Sequence, residues 1–516
     1  MSSIRRIDSN IAREALFDVA GTRRIEAAAT SANEAFALMS RAGDSVARLA
    51  LALAPHARHV VVFAGPGNNG GDGIEAATRL GAMGKTASVV LHADAARLPA
   101  DASHALARAR SAGGSIEVAS TAGLQQREPP DLIIDALLGI GASRPPDGAM
   151  AAAIGRMASL RARGARVLAI DTPSGLDVDC GQPFGNICAV ADDTLTLLTL
   201  KPGFFTAAGR DYSGRVWFDA IGVDAGANGA TCASLVGSGD IDRGADLRRH
   251  AQHKGSFGDV AIVGGAAGMT GAAILAASAA HAAGAGRVFV DLLGATDAQA
   301  PFDPVRPELM CRTGWWQGPA EVLRNTTVVC GCGGGDAVRE TLARLLSIAP
   351  RLVLDADALN AIAADAALQT LTAARAARSL QTILTPHPLE AARLLDGSAS
   401  DVQADRLRAA RELARRYACV AVLKGSGSII AAPGERPRIN ATGDASLASA
   451  GTGDVLAGWI GGRWLVGAPA FDVATRCVIE HGAACEPQRP GAIRAGDLVE
   501  SLYRRSRQQG RLWLHP

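Results

Sequence analysis

The sequence predicts an α/β protein of two domains, each organised around a largely parallel sheet. The chain has 516 residues, more than one ordinary hydrophobic core accommodates. In both halves, short apolar segments alternate with segments of helical periodicity, a pattern typical of βα units. Residues 225–243 are rich in Gly, Ala, Ser and Asp and lack periodicity, which indicates a linker. We therefore expect domains over residues 1–224 and 244–506.

The individual elements follow from the same periodicity. The first 55 residues have apolar side chains at helical spacing, and further helices are expected over 74–83 and 271–283. Buried strands are expected over residues 59–64, 86–91, 132–135, 167–171, 195–200, 259–263, 286–291, 327–330, 352–355, 382–384 and 420–423. Because parallel strands end at one edge of their sheet, ligands should bind where these strands end.

Composition and charge exclude several functions. Aromatic residues make up only 4% of the chain, too few for the stacking platforms that bind single-stranded nucleic acid. A formal net charge of +2 gives no basic field for nucleic acid or an anionic membrane. The nine cysteines include no CxxC pair, which favours reduced thiols and a cytoplasmic location. No stretch has the pattern of a signal peptide or a membrane span. Separately, we expect the protein to form a homo-oligomer.

Residues 65–73 read Gly-Pro-Gly-Asn-Asn-Gly-Gly-Asp-Gly, too many glycines for an ordinary turn. Such glycines let backbone amides approach a phosphate at the start of a helix. Oxygen-bearing side chains occur in this loop and at later strand ends: Asn68, Asn69, Asp72, Asp135 and Ser174. Oxygen ligands without His or Cys suit a hard cation rather than zinc, but they do not identify it. Asx turns and helix caps are the alternative explanation for any one of these residues.

On these motifs, residues 1–224 resemble the NAD(P)H-hydrate epimerase family. The matching segments are Leu38-Met-Ser-Arg-Ala-Gly43, Gly67-Asn-Asn-Gly-Gly-Asp-Gly73, Asp171-Thr-Pro-Ser-Gly-Leu-Asp177 and Lys201-Pro-Gly203. The resemblance implies a Rossmann-like α/β/α sandwich and a potassium ion held by Asn69, Asp135 and Ser174. It also implies that a hydrated dinucleotide contacts Asn68, Asn69, Gly70, Gly71, Asp72, Gly139, Ile140, Gly141, Ala142, Ser143, Arg144, Pro145 and Asp171. The family has Thr at the position of Ile140, so a hydroxyl group near the phosphates is missing here.

Lysine is rare, which draws attention to the few that occur: Lys85, Lys201, Lys254 and Lys424. Arginine supplies the other cations, so a retained lysine suggests a need for a compact ammonium group. Asp192 and Lys201 are our candidates for proton transfer in the epimerisation, in which a hydroxyl group leaves a ring carbon and returns on the other face. The alternative is an ion pair between them that fixes the final strand.

A second glycine-rich segment, residues 450–458, reads Ala-Gly-Thr-Gly-Asp-Val-Leu-Ala-Gly. The amides of residues 451–454 would form an anion hole at the start of a helix, where Asp454 could take the proton of an acceptor hydroxyl. This arrangement suits phosphoryl transfer, which depends on positioning and electrostatics. An acidic residue that stabilises the helix start is the alternative.

Residues from about 235 to 506 resemble the ADP/ATP-dependent NAD(P)H-hydrate dehydratase family, whose fold is ribokinase-like. The most specific segments are Asp355-Ala-Asp-Ala-Leu-Asn360, Thr385-Pro-His-Pro-Leu-Glu390 and Leu423-Lys-Gly-Ser-Gly-Ser428. The resemblance implies that the hydrated nucleotide contacts Ala272, Gly333, His387 and Asp454. It implies that the adenine nucleotide, with magnesium, contacts Lys424, Gly425, Ser426, Gly427, Ser428 and Gly453. A core or turn histidine is the alternative for His387.

One segment departs from that family. Residues 331–335 read Gly-Cys-Gly-Gly-Gly, where the family usually has Gly-Pro-Gly-Leu-Gly. Loss of the proline removes a constraint on the backbone. We therefore expect a looser loop at this position.

Together the two resemblances imply a bifunctional repair enzyme for hydrated NADH and NADPH. The epimerase would convert the R hydrate into the S hydrate, and the dehydratase would return the S hydrate to the reduced cofactor. Phosphorylation of the ring hydroxyl creates a leaving group, and elimination of phosphate restores the ring. ADP is the expected phosphoryl donor, with ATP left open. The rival function is a ribokinase-like small-molecule kinase with a non-catalytic N-terminal binding module.

Overall fold

The computed structural model describes residues 4–112, 116–119, 130–227, 230–241, 250–294, 303, 305–464, 467–486 and 491–511. They form two compact units. The first extends to Ser234, except that Ser9–Arg13 belong to the second, which continues from Leu235. The change of unit falls inside the predicted linker, where a strand spans Ala233–Val236. Part of that linker and the predicted start of the second domain, at residues 228–229 and 242–249, lie outside the described residues.

In the first unit, helices cover both faces of a mostly parallel sheet. The strands are β1 (Arg5–Ile7), β2 (Glu14–Leu16), β3 (His59–Ala64), β4 (Thr86–Leu91), β5 (Ile116–Ala119), β6 (Leu132–Ala136), β7 (Arg166–Ile170), β8 (Leu176–Asp177), β9 (Gln182–Pro183), β10 (Asp193–Leu197) and β11 (Arg215–Asp219). The helices are α1 (Val19–Ala32), α2 (Ala37–Leu53), α3 (Asn68–Ala82), α4 (Ala100–Ala112), α5 (Gly148–Ala162) and α6 (Gly209–Tyr212). The sheet order is β1-β11-β10-β7-β6-β3-β4-β5. Strand β1 is antiparallel to β11, and the other pairings are parallel.

Strand β3 shows why this sheet needs helices on both faces. Its sequence, HVVVFA, is apolar after His59, and every residue after His59 is buried. Successive side chains point to opposite faces. Val60 and Val62 belong to the core cluster that contains residues of α2, α3 and α4, whereas Val61 and Phe63 pack in the cluster that contains residues of α5. A continuous apolar run is thus explained by burial on both sides.

The second unit has a larger sheet whose central strands are parallel. Its strands are β12 (Ala233–Val236), β13 (Asp259–Gly264), β14 (Arg287–Leu292), β15 (Met310–Cys311), β16 (Thr326–Cys330), β17 (Arg351–Leu354), β18 (Gln381–Leu384), β19 (Val420–Leu423), β20 (Ile429–Ala431) and β21 (Arg438–Asn440). Its helices are α7 (Thr270–Ala282), α8 (Ala320–Arg324), α9 (Val338–Ile348), α10 (Ala356–Ala363), α11 (Ala366–Ala374), α12 (Pro388–Leu394), α13 (Ala399–Ala404), α14 (Arg406–Tyr417), α15 (Thr452–Arg463), α16 (Ala470–Ala483) and α17 (Ala495–Arg511). These strands follow the order β15-β14-β13-β16-β17-β18-β19-β20-β21-β12. Strands β19, β20 and β21 are joined in antiparallel fashion.

The amino-terminal region differs from its helical prediction. Helices α1 and α2 account for most of the periodic pattern, but the short strands β1 and β2 precede them. Strand β1 forms because it adds to the edge strand β11, with Arg6 opposite Trp217. Three residues are too few for an alternating pattern to be visible in the sequence. None of the helices in the described part of the chain combines the length and apolarity that a bilayer span requires.

Helices α7 and α15 pack unusually closely, and we predict that this contact is intolerant of substitution. A Cβ added at Gly458 would lie 1.9 Å from the backbone oxygen of Ala276. Gly458→Ala should lower the free energy of unfolding of the second unit by about 1–3 kcal/mol or more, because the neighbouring backbone must move. Gly496→Ala in α17, where a Cβ meets nothing within 4 Å, should not destabilise the unit. Equal denaturation midpoints for the two variants would contradict this prediction.

Candidate active sites

A cavity of about 680 Å³ lies in the first unit where several parallel strands end. Its walls come from α1, α2, the first turns of α3, α4 and α5 and the segments that follow β6, β7, β10 and β11. It is lined by Thr22, Arg23, Glu26, Thr30, Leu38, Met39, Ala42, Pro66, Gly67, Asn68, Asn69, Asp72, Asp101, Leu137, Leu138, Gly139, Ile140, Gly141, Ala142, Ser143, Arg144, Pro145, Pro146, Asp147, Met150, Asp171, Leu197, Leu198 and Ile221. Volume and position both fit a site for a small molecule.

The glycine-rich loop forms one wall of this cavity. Helix α3 begins at Asn68, so the unsatisfied amides of its first turn lie at the cavity. A Cβ on Gly65 would lie 1.7 Å from the backbone oxygen of Leu137, so glycine is needed for the two loops to approach. Gly70 and Gly71, which were predicted to contact the substrate, do not line the cavity. Both are buried behind the loop, and a Cβ on Gly70 would lie 2.2 Å from the Gly65 oxygen.

The three predicted cation ligands differ in whether other groups of the protein already form hydrogen bonds to them. Asp135 is buried, and Ser174 donates to it from its hydroxyl at 2.6 Å and from its backbone N–H at 2.8 Å. Burial raises the pKa of Asp135, opposed only by hydrogen bonds from Ser174 and Leu137 and by no cationic side chain. Both polar side-chain atoms of Asn69 are buried without a hydrogen-bond partner among the described residues. A carboxylate, a hydroxyl and an unsatisfied amide are donors that suit a hard cation.

Lys201 pairs with Asp171. Its ammonium group is fully buried and donates to Asp171 Oδ1 at 2.5 Å, to Thr196 Oγ1 at 2.8 Å and to the Leu197 oxygen at 2.9 Å. Asp171 faces the cavity and has φ 61°, in the left-handed region that non-glycine residues seldom adopt. Strained residues of this kind cluster at functional sites.

Asp192 lies elsewhere, so the structure does not bring the predicted proton-transfer pair together. Its carboxylate accepts from Arg161 at 2.6 Å and from the Val167 backbone N–H at 2.9 Å, at the start of β7. Asp192 immediately precedes β10, whereas Lys201 contacts the residue that ends it. At about 3.3 Å per residue the strand keeps them more than about 10 Å apart. The alternative Asp192–Lys201 ion pair is therefore also not formed, and Asp171 is the carboxylate that accompanies Lys201.

Helix α1 contributes cavity residues that the motif analysis missed. Thr22, Arg23, Glu26 and Thr30 all line the cavity. Positions three and four apart share one face of a helix, and this spacing is the signal by which the sequence could have indicated them. Burial and the neighbouring Asp171 raise the pKa of Glu26, while Lys201 and Arg23 oppose the rise.

In the second unit, charged side chains meet beside the start of α15. Lys424 Nζ donates to Asp355 Oδ1 at 2.6 Å and lies 4.0 Å from Glu390 Oε2. Thr385 donates its hydroxyl to the same oxygen of Asp355 at 2.8 Å. A Cβ on Gly453 would lie 3.3 Å from Lys424 Nζ, which places the ammonium against the first turn of α15. Burial raises the pKa of Glu390 to about 7, although Lys424 opposes the rise.

Asp454 lies in that first turn, next to Asp355 and Cys332. One side-chain atom from each of the three lies within 4.8 Å of the other two. Burial raises the pKa of Asp454 to about 6, and Asp355 adds to the rise, while the Cys332 thiol and Lys424 oppose it. A carboxyl group that titrates near neutral pH at a helix N-terminus is suited to accept a proton beside an anion.

The loop at residues 331–335 follows a path that depends on its glycines. Gly331, Gly333 and Gly335 have φ values of 117°, 58° and 53°, which only glycine adopts readily. The Gly333 oxygen accepts from the Ala266 N–H at 2.7 Å, and the Gly335 N–H donates to Asp357 Oδ2 at 2.8 Å. These bonds tie the loop to neighbouring segments, and the looser loop expected from the missing proline stays a prediction. A Cβ on Gly333 would lie 2.9 Å from that of Ala272, so two predicted contact residues are neighbours.

His387 has a structural role that a ligand contact alone would not require. It caps α12, with Nδ1 accepting from the N–H groups of Leu389 at 3.1 Å and Glu390 at 3.4 Å. Glu390 in turn accepts from the His387 N–H at 2.7 Å, which completes a capping box. The ring is nevertheless 47% exposed. The turn-histidine alternative therefore holds for Nδ1, which caps the helix. The other ring nitrogen, Nε2, lies 3.3 Å from Glu390 Oε1.

The predicted nucleotide segment, residues 424–428, follows β19. Gly425 and Gly427 have φ values of 126° and 59°, so glycine is required for its path. The buried guanidinium of Arg406 donates to the backbone oxygens of Leu423 and Lys424 at 3.3 and 3.1 Å. These hydrogen bonds hold the backbone at Lys424, where the segment starts.

Comparison with known proteins identifies both halves. The family model for NAD(P)H-hydrate dehydratase matches residues 260–502, and the model for the YjeF-related protein N-terminus matches residues 35–203. The bifunctional NAD(P)H-hydrate repair enzyme Nnr of Escherichia coli K12 is 35% identical over 472 residues, 91% of this chain and 88% of that protein. The chain belongs to the bifunctional NAD(P)H-hydrate repair enzyme family.

Two further relatives of this repair enzyme cover its second half. The ADP-dependent (S)-NAD(P)H-hydrate dehydratase of Neisseria meningitidis is 41% identical over 260 residues, 49% of this chain and 86% of that protein. The solved ADP/ATP-dependent NAD(P)H-hydrate dehydratase of Bacillus subtilis, co-crystallised with ATP and Mg²⁺, is 26% identical. It covers 51% of this chain and 94% of that one, with a TM-score of 0.42.

The predicted family, the two α/β domains and the bifunctional enzyme class are confirmed for this repair enzyme. The residue assignments remain predictions, but the structure groups most of them. The predicted epimerase contact residues line the cavity except the buried Gly70 and Gly71. Asp135, Ser174 and Lys201 are buried and are not part of its lining, and Asp192 bonds to Arg161 instead. The dehydratase residues Gly453, Asp454 and Lys424 meet at the start of α15.

Proposed function

We propose that this chain repairs hydrated NADH and NADPH in two steps at two separate sites. The first domain, residues 1–224, would interconvert the R and S hydrates. The second, residues 244–506, would use ADP to dehydrate the S hydrate. The chain is a member of the repair family, and each of its units has a carboxylate beside the N-terminus of a helix. These are Asp171 beside α3 in the first unit and Asp454 in α15 in the second, and this observation carries the proposal. The ADP-dependent relative of the second half supports the choice of nucleotide.

In the epimerase site, the cavity lining supports binding of a hydrated dinucleotide. The amides of the α3 start and the cations Arg23 and Arg144 suit its diphosphate. Asp171, paired with Lys201 at 2.5 Å, is the proposed proton-transfer group in place of Asp192. The proposed contact residues are Asn68, Asn69, Asp72, Gly139, Ile140, Gly141, Ala142, Ser143, Arg144, Pro145 and Asp171.

A potassium ion is the proposed cation of the epimerase site. Asn69, Asp135 and Ser174 would hold it, which would give the buried Asn69 amide oxygen a partner and compensate the buried Asp135 carboxylate. When bound, the ion supplies positive charge next to the α3 start and fixes the loops that bind the dinucleotide.

In the dehydratase site, Asp454 would take the proton of the ring hydroxyl as that oxygen attacks the terminal phosphoryl group of ADP. The amides at the start of α15 and Lys424 would stabilise the transferring group. Magnesium would arrive with the nucleotide and neutralise part of its charge. Phosphate then leaves the ring carbon as the ring nitrogen lone pair forms the new double bond, and loss of a ring proton restores dihydronicotinamide.

The remaining assignments for this site are also proposals. The hydrated nucleotide would contact Ala272, Gly333, His387 and Asp454. The adenine nucleotide would contact Lys424, Gly425, Ser426, Gly427, Ser428 and Gly453. The proximity of Gly333 to Ala272 and of Gly453 to Lys424 supports both groups.

The test is to incubate the purified protein with a mixture of both hydrate epimers and ADP. We expect dihydronicotinamide absorbance to return in full, with one inorganic phosphate released per molecule repaired. Return of only the fraction of absorbance that the S hydrate contributes to the mixture would contradict the epimerase assignment. Consumption of ADP without absorbance or free phosphate would instead indicate a kinase whose product stays phosphorylated.

A further inference from the structure

We propose that Glu26, on α1, is a second acid–base residue of the epimerisation and acts at the same ring carbon as Asp171. This inference rests on the proposed epimerase function and extends it. Both carboxyl groups line the one cavity of about 680 Å³, Glu26 from a helix and Asp171 from the end of β7. Glu26 is contributed by an element outside every motif that the sequence analysis used.

The position of Glu26 is fixed by contacts on its own face of α1. Thr22 Oγ1 and Thr199 Oγ1 share a hydrogen bond of 2.7 Å, and both groups are buried. Thr199 lies two residues before Lys201, in the segment that holds Asp171. Glu26 is four residues after Thr22 and therefore lies on the same face of the helix, one turn further along. The Thr22–Thr199 bond thus orients Glu26 towards the Asp171–Lys201 pair.

The helix itself is anchored at its start. Asp18 caps α1 by accepting from the Gly21 N–H at 2.6 Å. Asp179 accepts from the Val19 N–H at 2.8 Å. These bonds fix the start of α1 and with it the face of the helix that carries Glu26.

The two carboxyl groups have different electrostatic partners. Lys201 donates directly to Asp171 at 2.5 Å. Glu26 has no such direct ion pair within the described residues, and its pKa is raised by burial and by the charge of Asp171, against Lys201 and Arg23. Asp72 and Asp101 also line the cavity. The two carboxyl groups share one cavity but have different partners, which allows them different roles in one proton-transfer sequence.

Epimerisation by loss and return of the hydroxyl needs both members of such a pair. Glu26 donates a proton to the hydroxyl oxygen, the carbon–oxygen bond breaks, and the ring nitrogen lone pair forms a carbon–nitrogen double bond as water leaves. Water then attacks the opposite face of that carbon, the electron pair returns to nitrogen, and Asp171 takes the proton from the attacking water. The reverse reaction starts with Glu26 ionised and Asp171 protonated. Protons exchange with solvent between turnovers.

The decisive variant is Glu26→Gln, which keeps size and polarity but cannot supply a proton. We expect epimerisation to fall by at least about 10²-fold. Dehydration of purified S hydrate by the same protein should stay at the wild-type rate, which shows that the protein is folded. Glu34→Gln changes an exposed carboxylate just beyond α1 that does not line the cavity, and it should leave both activities unchanged.

The pH profile separates an acid from a merely structural residue. Because Glu26 must be protonated, wild-type epimerisation should decline as pH rises through its pKa. In Glu26→Gln this decline should disappear from the residual activity, and Glu26→Asp should partly restore both rate and profile. An unchanged profile shape, or near-wild-type epimerisation in Glu26→Gln, would overturn the proposal.

Two other outcomes are informative. Loss of epimerisation in Asp72→Asn, together with its retention in Glu26→Gln, would assign the acid to Asp72 and overturn the role of Glu26. Absence of epimerisation in the wild-type protein would contradict the proposed function itself and not this residue assignment. The two failures are therefore distinguishable in one series of assays.

Discussion

Replacing Asp454 by Asn should reduce ADP-dependent dehydration by about 10²–10⁴-fold, the usual contribution of a general base. Asparagine keeps the shape and hydrogen-bonding capacity of the side chain but cannot accept a proton at neutral pH. Nucleotide affinity should change little, since Lys424 and the amides of α15 remain. The variant should still interconvert the epimers, because that site lies in the other unit.

A matched control exists in the same unit. Asp497 also lies in the first turn of a helix, α17, and pairs with Arg494 at the surface. Asp497→Asn should leave dehydration unchanged, since exposed pairs contribute little to stability. If Asp454→Asn retains near-wild-type turnover, Asp454 only stabilises the helix start and the proposed mechanism is wrong.

The pKa of Asp454 gives a second, independent test. Burial raises that pKa to about 6, with a further contribution from Asp355. The base is active when ionised, so kcat for dehydration should fall as pH decreases through about 6 and level off above it. The profile is measured on purified S hydrate at saturating ADP, so that epimerisation does not limit the rate. Loss of activity only below about pH 4, the usual range of an aspartate, would contradict the assigned environment.

The strand-end residues could be predicted from sequence because a parallel sheet collects them at one edge. Asn69 follows β3, Asp135 lies near the end of β6 and Ser174 follows β7, and these three strands are neighbours in the sheet. Glu26 could not be predicted in this way. It comes from helix α1, which follows no strand of the parallel series, and tertiary bonds such as those of Thr22 with Thr199 and of Val19 with Asp179 hold that helix at the site.

The structure separates Asp192 from Lys201 for a simple geometric reason. Asp192 and Lys201 are only nine positions apart in the chain. The extended strand β10 lies between them and keeps the two residues beyond its opposite ends. The short strands were missed for a different reason. Strand β12 is Ala-Ser-Leu-Val within a segment of small and polar residues, and it forms because Val236 accepts from the Ala441 N–H at 2.9 Å. Such pairing depends on tertiary context rather than on local propensity.

Replacing Asp135 by Ala should abolish epimerisation and leave dehydration of the S hydrate at the wild-type rate. The buried carboxylate is the one charged member of the proposed cation site, and Ser174 is oriented by two hydrogen bonds to it. Without Asp135 both the cation and the position of Ser174 would be lost, and with them the loop that binds the dinucleotide. The two units have separate cores, so the two effects should be separable. Equal loss of both activities in a folded variant would contradict the assignment.

A readout that does not depend on activity completes this prediction. If the native protein binds potassium, its thermal midpoint should rise with potassium chloride concentration by mass action. Choline chloride at the same ionic strength controls for general salt effects. The Asp135→Ala variant should lose the potassium-specific shift, because Asn69 and Ser174 alone offer only neutral donors. An equal shift in wild type and variant would place the potassium elsewhere, even if epimerisation were lost.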